Sequence, residues 1–200
     1  MAGPIRVGAA EFLALDLRVH ELLRGIPLHD VSVVDLPGGG EGRSVGEIRL
    51  LMEGMAPGPV VSGLMALRRG IGVLLRWDTA DACTKDSFVR RVPERDRLAS
   101  GIAPGTQMGM FRVLYQLPRE AVSEVRNATV QAFVCTVLRP TPSGHRFYWA
   151  VYVQPTSWLT PLYMAAIEPF RRWLVYPSML RRLRTAWIDA YSRPRRTATA

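Results

Sequence analysis

The sequence predicts an α+β fold in which an antiparallel sheet of about six or seven strands is packed with one long carboxy-terminal helix, two short helices following the first strand. Three observations carry this. From Met110 to Gln154, segments rich in β-branched and aromatic residues are separated by Leu117-Pro-Arg119 and Pro140-Thr-Pro-Ser-Gly144, connections short enough to require antiparallel neighbours. After Thr160-Pro161, a good cap and first-turn pair, apolar residues dominate to Tyr176 and recur beyond it at helical spacing. Ahead of the sheet, Ser44 opens one helix, and Val60, Leu64, Leu67, Ile71 and Leu74 mark another.

Taken in order, Phe12, Leu15, Val19 and Leu22 form a stripe that predicts a short amphipathic helix ending at Gly25, with His20 facing water. His29 to Leu36 is valine-rich and runs into Pro37 and three glycines, which reads as a strand and a wide turn. From Trp77 to Thr106 the pattern dissolves into charges and prolines, and only Phe88 to Val92 is predicted as a short strand. Met110 to Leu117, Glu120 to Asn127, Ala128 to Arg139 and His145 to Gln154 are predicted strands. Pro177 kinks or restarts the terminal helix, beyond which Leu180, Leu183, Trp187 and Tyr191 share one face opposite Arg182, Thr185 and Asp189.

Length and composition fit one domain over 1–192, since 200 residues with 48% hydrophobic and 22% charged side chains can bury a full core. Residues 193–200 have no apolar periodicity and read as a disordered tail. Arg68 and Arg69 cut the stretch from Val60 to Leu75 short of a membrane span, and Glu11 and Asp16 interrupt the apolar stretch nearest the amino terminus, so a cytoplasmic location is expected. Cys83 and Cys135 have the spacing of neither a disulfide framework nor a metal knuckle, and His20, His29 and His145 lie on different elements, so no metal or cofactor is expected.

The net charge of +9 rests on 25 arginines and one lysine, Lys85, which excludes lysine-dependent chemistry elsewhere in the chain. From Pro161 onward, eight arginines face only Glu168 and Asp189. This basic end carries no specific nucleic-acid motif, and its two readings are a solvated helix face or attraction to an anionic membrane surface.

Gly42-Arg43-Ser44-Val45-Gly46 has the form of a hydrolase nucleophile elbow, but Pro37 to Glu41 intervene after the strand and the later strands are antiparallel. Ser44-Val-Gly-Glu47 also fits a capping box, so Ser44 is expected to cap a helix. The glycines from Gly38 to Gly42 lack the lysine ending of a phosphate loop and are read as a turn.

On the last predicted strand, Phe147, Trp149, Val151 and Val153 have one parity, and Arg146, Tyr148, Ala150, Tyr152 and Gln154 the other. Either the tyrosine hydroxyls point into a cavity, or they are wet at a rim. Glu124, Asn127 and Gln131 stand near or on the longest strand, where a carboxylate and amides beside a cavity act as acid, base or ligand anchor, or remain solvated.

The runs Phe111-Arg-Val-Leu-Tyr115, Ser123-Glu-Val-Arg-Asn-Ala-Thr-Val130, Tyr148-Trp-Ala-Val-Tyr-Val153, Leu159-Thr-Pro-Leu-Tyr-Met164 and Glu168-Pro-Phe-Arg-Arg172 resemble an uncharacterised bacterial family of unknown function, as do Pro27-Leu-His-Asp30 and Asp35-Leu-Pro-Gly-Gly39. That family resembles the START-like helix-grip superfamily of lipid-binding proteins and polyketide cyclases. The resemblance implies a seventh strand, sought in the charged stretch before Thr106, and an apolar pocket between sheet and terminal helix. Candidates to line it are Tyr115, Asn127, Gln131, Tyr148, Trp149, Tyr152, Trp158 and Tyr163, with Glu124 a weak catalytic candidate. Three functions are carried forward. The first is binding of an apolar or aromatic small molecule. The second is a polyketide-like cyclase, dehydratase or isomerase with Glu124 as base and tyrosine hydroxyls stabilising an enolate. The third is a peripheral membrane protein using Trp173, Trp187 and nearby arginines.

Overall fold

The computed structural model describes residues 5–55, 87–126, 130–155, 165, 168–169 and 171–192. The predicted helix between Val60 and Leu74, the cap at Thr160-Pro161 and the tail lie outside them.

Among the described residues seven antiparallel strands form one sheet: β1 (Ile5–Arg6), β2 (Leu28–Pro37), β3 (Gln107–Met108), β4 (Phe111–Gln116), β5 (Glu120–Arg126), β6 (Val130–Thr141) and β7 (Gly144–Pro155). Their order is β1-β2-β7-β6-β5-β4-β3, so the first long strand returns to pair with the last. The four strands predicted from Met110 to Gln154 are present, while the two extra ones are two-residue edges. From Ser87 to Thr106 there is no strand.

Phe88–Arg91 is a single 3₁₀ turn where a strand was predicted. Its first donors are taken by side chains, which a sheet ladder would need free: Phe88 N–H donates to Glu124 Oε2 at 3.0 Å, Ser87 Oγ donates to Glu124 Oε1, and Val89 N–H donates to Ser87 Oγ at 3.2 Å. The predicted amino-terminal helix is likewise broken into α1 (Ala9–Leu13) and α2 (Val19–Leu22), because Arg18 N–H, at the start of α2, donates to the Glu120 carboxylate at 3.0 and 3.1 Å. His20 does not face water. It packs edge-on against Phe12, with ring centroids 5.5 Å apart, and its Nδ1 lies 3.3 Å from Tyr152 Oη.

Both faces of the sheet are buried, each against its own layer. On the first face Tyr148, Ala150 and Tyr152 of β7 join Val31, Val33, Phe133, Cys135 and Val137 under α1, α2 and the turn at Phe88. On the second, Phe147, Trp149, Val151 and Val153 join Val34 and Leu36 under α3 (Val45–Gly54) and α5 (Tyr176–Trp187). The helix between them in the chain, α4 (Glu94–Ala99), buries Asp96. Alternation alone therefore leaves no polar face on β7, which explains why both of its parities are apolar. A register shift between Val113 and Tyr115 turns both Leu114 and Tyr115 toward the first face.

The second layer is fixed at one end by close packing. In α5, Leu180, Leu183 and Trp187 are fully buried, and Pro177 stands in its first turn after a π-helical turn over Arg171–Val175. Trp187 Nε1 donates to Pro37 O at 3.1 Å. Gly39, at φ 93°, admits the indole: a Cβ there would lie 2.5 Å from Trp187 Cζ2. Ser44 and Glu47 form the expected capping box at the start of α3, with Ser44 N–H donating to Glu47 Oε2 at 2.9 Å.

Candidate functional site

Where α5 packs on β2 and β7, Leu180, Leu183 and Trp187 are buried against Val34, Leu36 and Phe147. Beside it, between α3 and strands β3 to β6, an open groove of about 270 Å³ remains. Its walls are Val45, Ile48 and Met52 from α3, Phe111 and Val113 from β4, Ala121 and Ser123 from β5, Val134 and Thr136 from β6, and Trp149. The burial pattern of β5 records the same asymmetry: Glu120, Val122 and Glu124, toward the first face, are buried, whereas Ala121, Ser123 and Val125 are only partly covered.

Polar groups are few and stand mostly at the edge. Arg49 bridges α3 to β4 by donating from Nε to Gln116 Oε1 at 3.1 Å, and pairs with Glu53 at 2.7 Å. Trp149 is 9% exposed, and its Nε1–H is buried with no acceptor. Its ring lies 6.3 Å from that of Tyr176. A buried indole donor without a partner is a cost that a bound acceptor would remove.

The expected site residues divide between the two faces. Trp149 lines the groove, on the side of the sheet that carries the terminal helix. Tyr115, Tyr148 and Tyr152 belong to the opposite core, as does Ala150. Their hydroxyls are bonded to protein partners: Tyr115 donates to Glu120 Oε1 at 2.7 Å inside the core, Tyr152 meets His20, and Tyr148, at the rim of that face, donates to Oε1 of the exposed Glu11 at 3.2 Å. Glu124 is buried on that same side, 4% exposed, with one oxygen on Ser87 and the other accepting from Phe88 N–H and from Gln131 Nε2 at 3.4 Å. It anchors the 3₁₀ turn, and Gln131 serves the same anchor. Asn127, Trp158 and Tyr163 lie outside the described residues.

The terminal helix also divides. Trp187 is buried in the core and cannot reach a headgroup layer, while Trp173 is 75% exposed on the preceding turn. No described helix is long and apolar enough to cross a membrane.

Sequence reasoning missed Glu120. Its carboxyl is 5% exposed, and burial, with Asp96 adding to it, raises its pKa against the lowering effect of the Tyr115 and Arg18 hydrogen bonds. Burial likewise raises the pKa of Tyr115, Tyr152 and Cys135, each with Glu120 among the further causes. The signal was its parity with Val122 and Glu124 on a strand. The α3 wall of the groove was missed for another reason, that nothing in a helical stripe tells which strands it will cross. Among the described residues no three His, Cys, Asp or Glu side chains gather as metal ligands.

Residues 22–178 match the model of a family described as a protein of unknown function, DUF2867. The chain belongs to the DUF2867 family. The matched span runs from the end of α2 into the first turn of α5, so the family pattern takes in β2 to β7 and the α3 side of the groove. No curated protein matches the chain.

Proposed function

We propose that this DUF2867 protein is a binding module for an apolar or aromatic small molecule, held in the groove between α3 and the sheet beside the terminal helix. The observation that carries the reading is the apolar groove walled by Ile48, Met52, Phe111, Val113, Val134 and the Trp149 side chain, whose buried Nε1–H has no acceptor. Ligand sites are typically apolar concavities with a few polar groups that fix orientation. A cavity of roughly 150 Å³ is enough for benzene, so the groove's 270 Å³ accepts a one- or two-ring molecule carrying a hydrogen-bond acceptor. Met52 and Met108 on its walls adapt to different ligand shapes.

The finer family assignment is part of the same proposal. A START-like, helix-grip relationship is supported by the return of β2 beside β7 and by the helix α5 packed across them. The cyclase reading has no such support, because Glu124 and the three tyrosines stand across the sheet from the groove, with their oxygens already bonded.

Native mass spectrometry of protein purified from its own host tests the reading. A retained small molecule, absent from a Ser123→Phe variant that fills the groove, is expected. A chain of unliganded mass from that host, together with no thermal shift from 2-naphthol, overturns it. A ligand at a hundred times its dissociation constant adds about 2.7 kcal/mol, a readily measured shift.

A further inference from the structure

We propose that a second cleft, on the opposite face of the sheet, is a binding site for a small multivalent oxyanion, carrying phosphate or carboxylate groups, held by Arg24, Arg119 and Arg139. The cleft lies between the α1–α2 region and the turn joining β4 to β5, and encloses about 870 Å³. Its apolar floor includes Leu15, Leu17, Leu117 and Val137.

The charge balance of the lining singles it out. Among the described residues the exposed Arg24, Arg119 and Arg139 have no hydrogen-bond or ion-pair partner for their guanidinium groups, whereas Arg18, Arg43, Arg49, Arg95, Arg146 and Arg171 are each set against a carboxylate. The acids in the same cleft do not offset them. Glu21 is paired outward with Arg95, and Glu120 is bonded to Tyr115 and the Arg18 amide. Asp16 and Glu120 are then left against three cations.

Placement of the cations is also costly to the fold. Arg139 lies directly opposite Arg146 across the β6–β7 ladder, and like charges in such a pair are destabilising. Asp35 neutralises Arg146 at 2.8 Å and leaves Arg139 without a counter-charge. Arg119 is pinned beside it, since its carbonyl accepts from Leu138 N–H at 2.9 Å. A guanidinium group from β6, one from the turn between β4 and β5 and a third from just beyond α2 thus line one cleft, the arrangement that planar, multidentate donors need to take an oxyanion.

Isothermal titration with inorganic pyrophosphate, at constant ionic strength, tests the proposal. Saturable one-to-one binding is expected, weakened at least tenfold in Arg119→Gln/Arg139→Gln and unchanged in Arg182→Gln, an exposed arginine on the terminal helix. Absence of saturation, or equal weakening by Arg182→Gln, overturns it. Should the double variant fail to fold by circular dichroism, Arg24→Gln carries the same expectation. Flotation with phosphatidylcholine vesicles containing phosphatidic acid separates the phosphate sources. Pyrophosphate binding without flotation assigns a free ligand, and flotation abolished by Arg119→Gln/Arg139→Gln assigns a headgroup. The site is independent of the α3 groove, so pyrophosphate is expected to leave 2-naphthol binding unaltered.

Discussion

Tyr115 donates its phenolic proton to Glu120 at 2.7 Å beneath the amide of Arg18, so the buried carboxyl joins β5 to the start of α2. Burial raises the folded-state pKa of Glu120 above its unfolded value of 4.5. The folded protein therefore binds more protons than the unfolded chain as pH rises from that value to the raised one, and its stability falls across this window. Urea denaturation at a series of pH values should show that decline in the wild type and a smaller one in Glu120→Gln. Identical slopes would mean that Glu120 ionises as freely in the fold as in the unfolded chain.

Ser44 caps α3, and its replacement by alanine should lower stability by about 1 kcal/mol. A fluorophosphonate probe should leave it unlabelled, because its environment is a capping box rather than a strained elbow. Labelling would return Ser44 to the status of a nucleophile.

Trp187→Ala should cost roughly 3 to 5 kcal/mol in chemical denaturation, since the ring is wholly buried. Gly39→Ala should be destabilising through the same contact, because its Cβ would collide with the indole at a positive φ. In the double variant Gly39→Ala/Trp187→Ala the two losses should be less than additive. Full additivity would show that the clash is relieved elsewhere.

Glu124→Ala removes the acceptor for Phe88 N–H and Ser87 and should cost about 2 kcal/mol or more, with faster amide exchange at Phe88. Loss of 2-naphthol binding in this variant without such exchange would instead place Glu124 in the ligand site.

The long strands and the face of the terminal helix were legible because they depend on short-range signals. Prolines, a glycine turn and alternation mark the strands from Phe111 to Pro155, and the spacing of Leu180, Leu183 and Trp187 marks the helix. The division of the site residues was not legible. Tyr148 and Trp149 are chain neighbours, so their parity separates them, but which parity meets α5 depends on a layer closed by residues far away in the chain. Tyr115 was further displaced by the register shift at Leu114, which no local pattern announces. The break at Arg18 and the turn at Phe88 were invisible for a shared reason: each is set by a carboxylate from β5, Glu120 in one case and Glu124 in the other.

The groove beside Trp149 is tested most directly by its indole Nε1–H resonance, assigned through Trp149→Phe and followed by two-dimensional ¹⁵N–¹H spectroscopy during titration with 2-naphthol. A saturable shift of that resonance, abolished by Ser123→Phe while the Trp187 indole stays fixed, is the expected result. An unmoved Trp149 resonance, or a shift that persists in Ser123→Phe, would contradict ligand binding between α3 and the sheet.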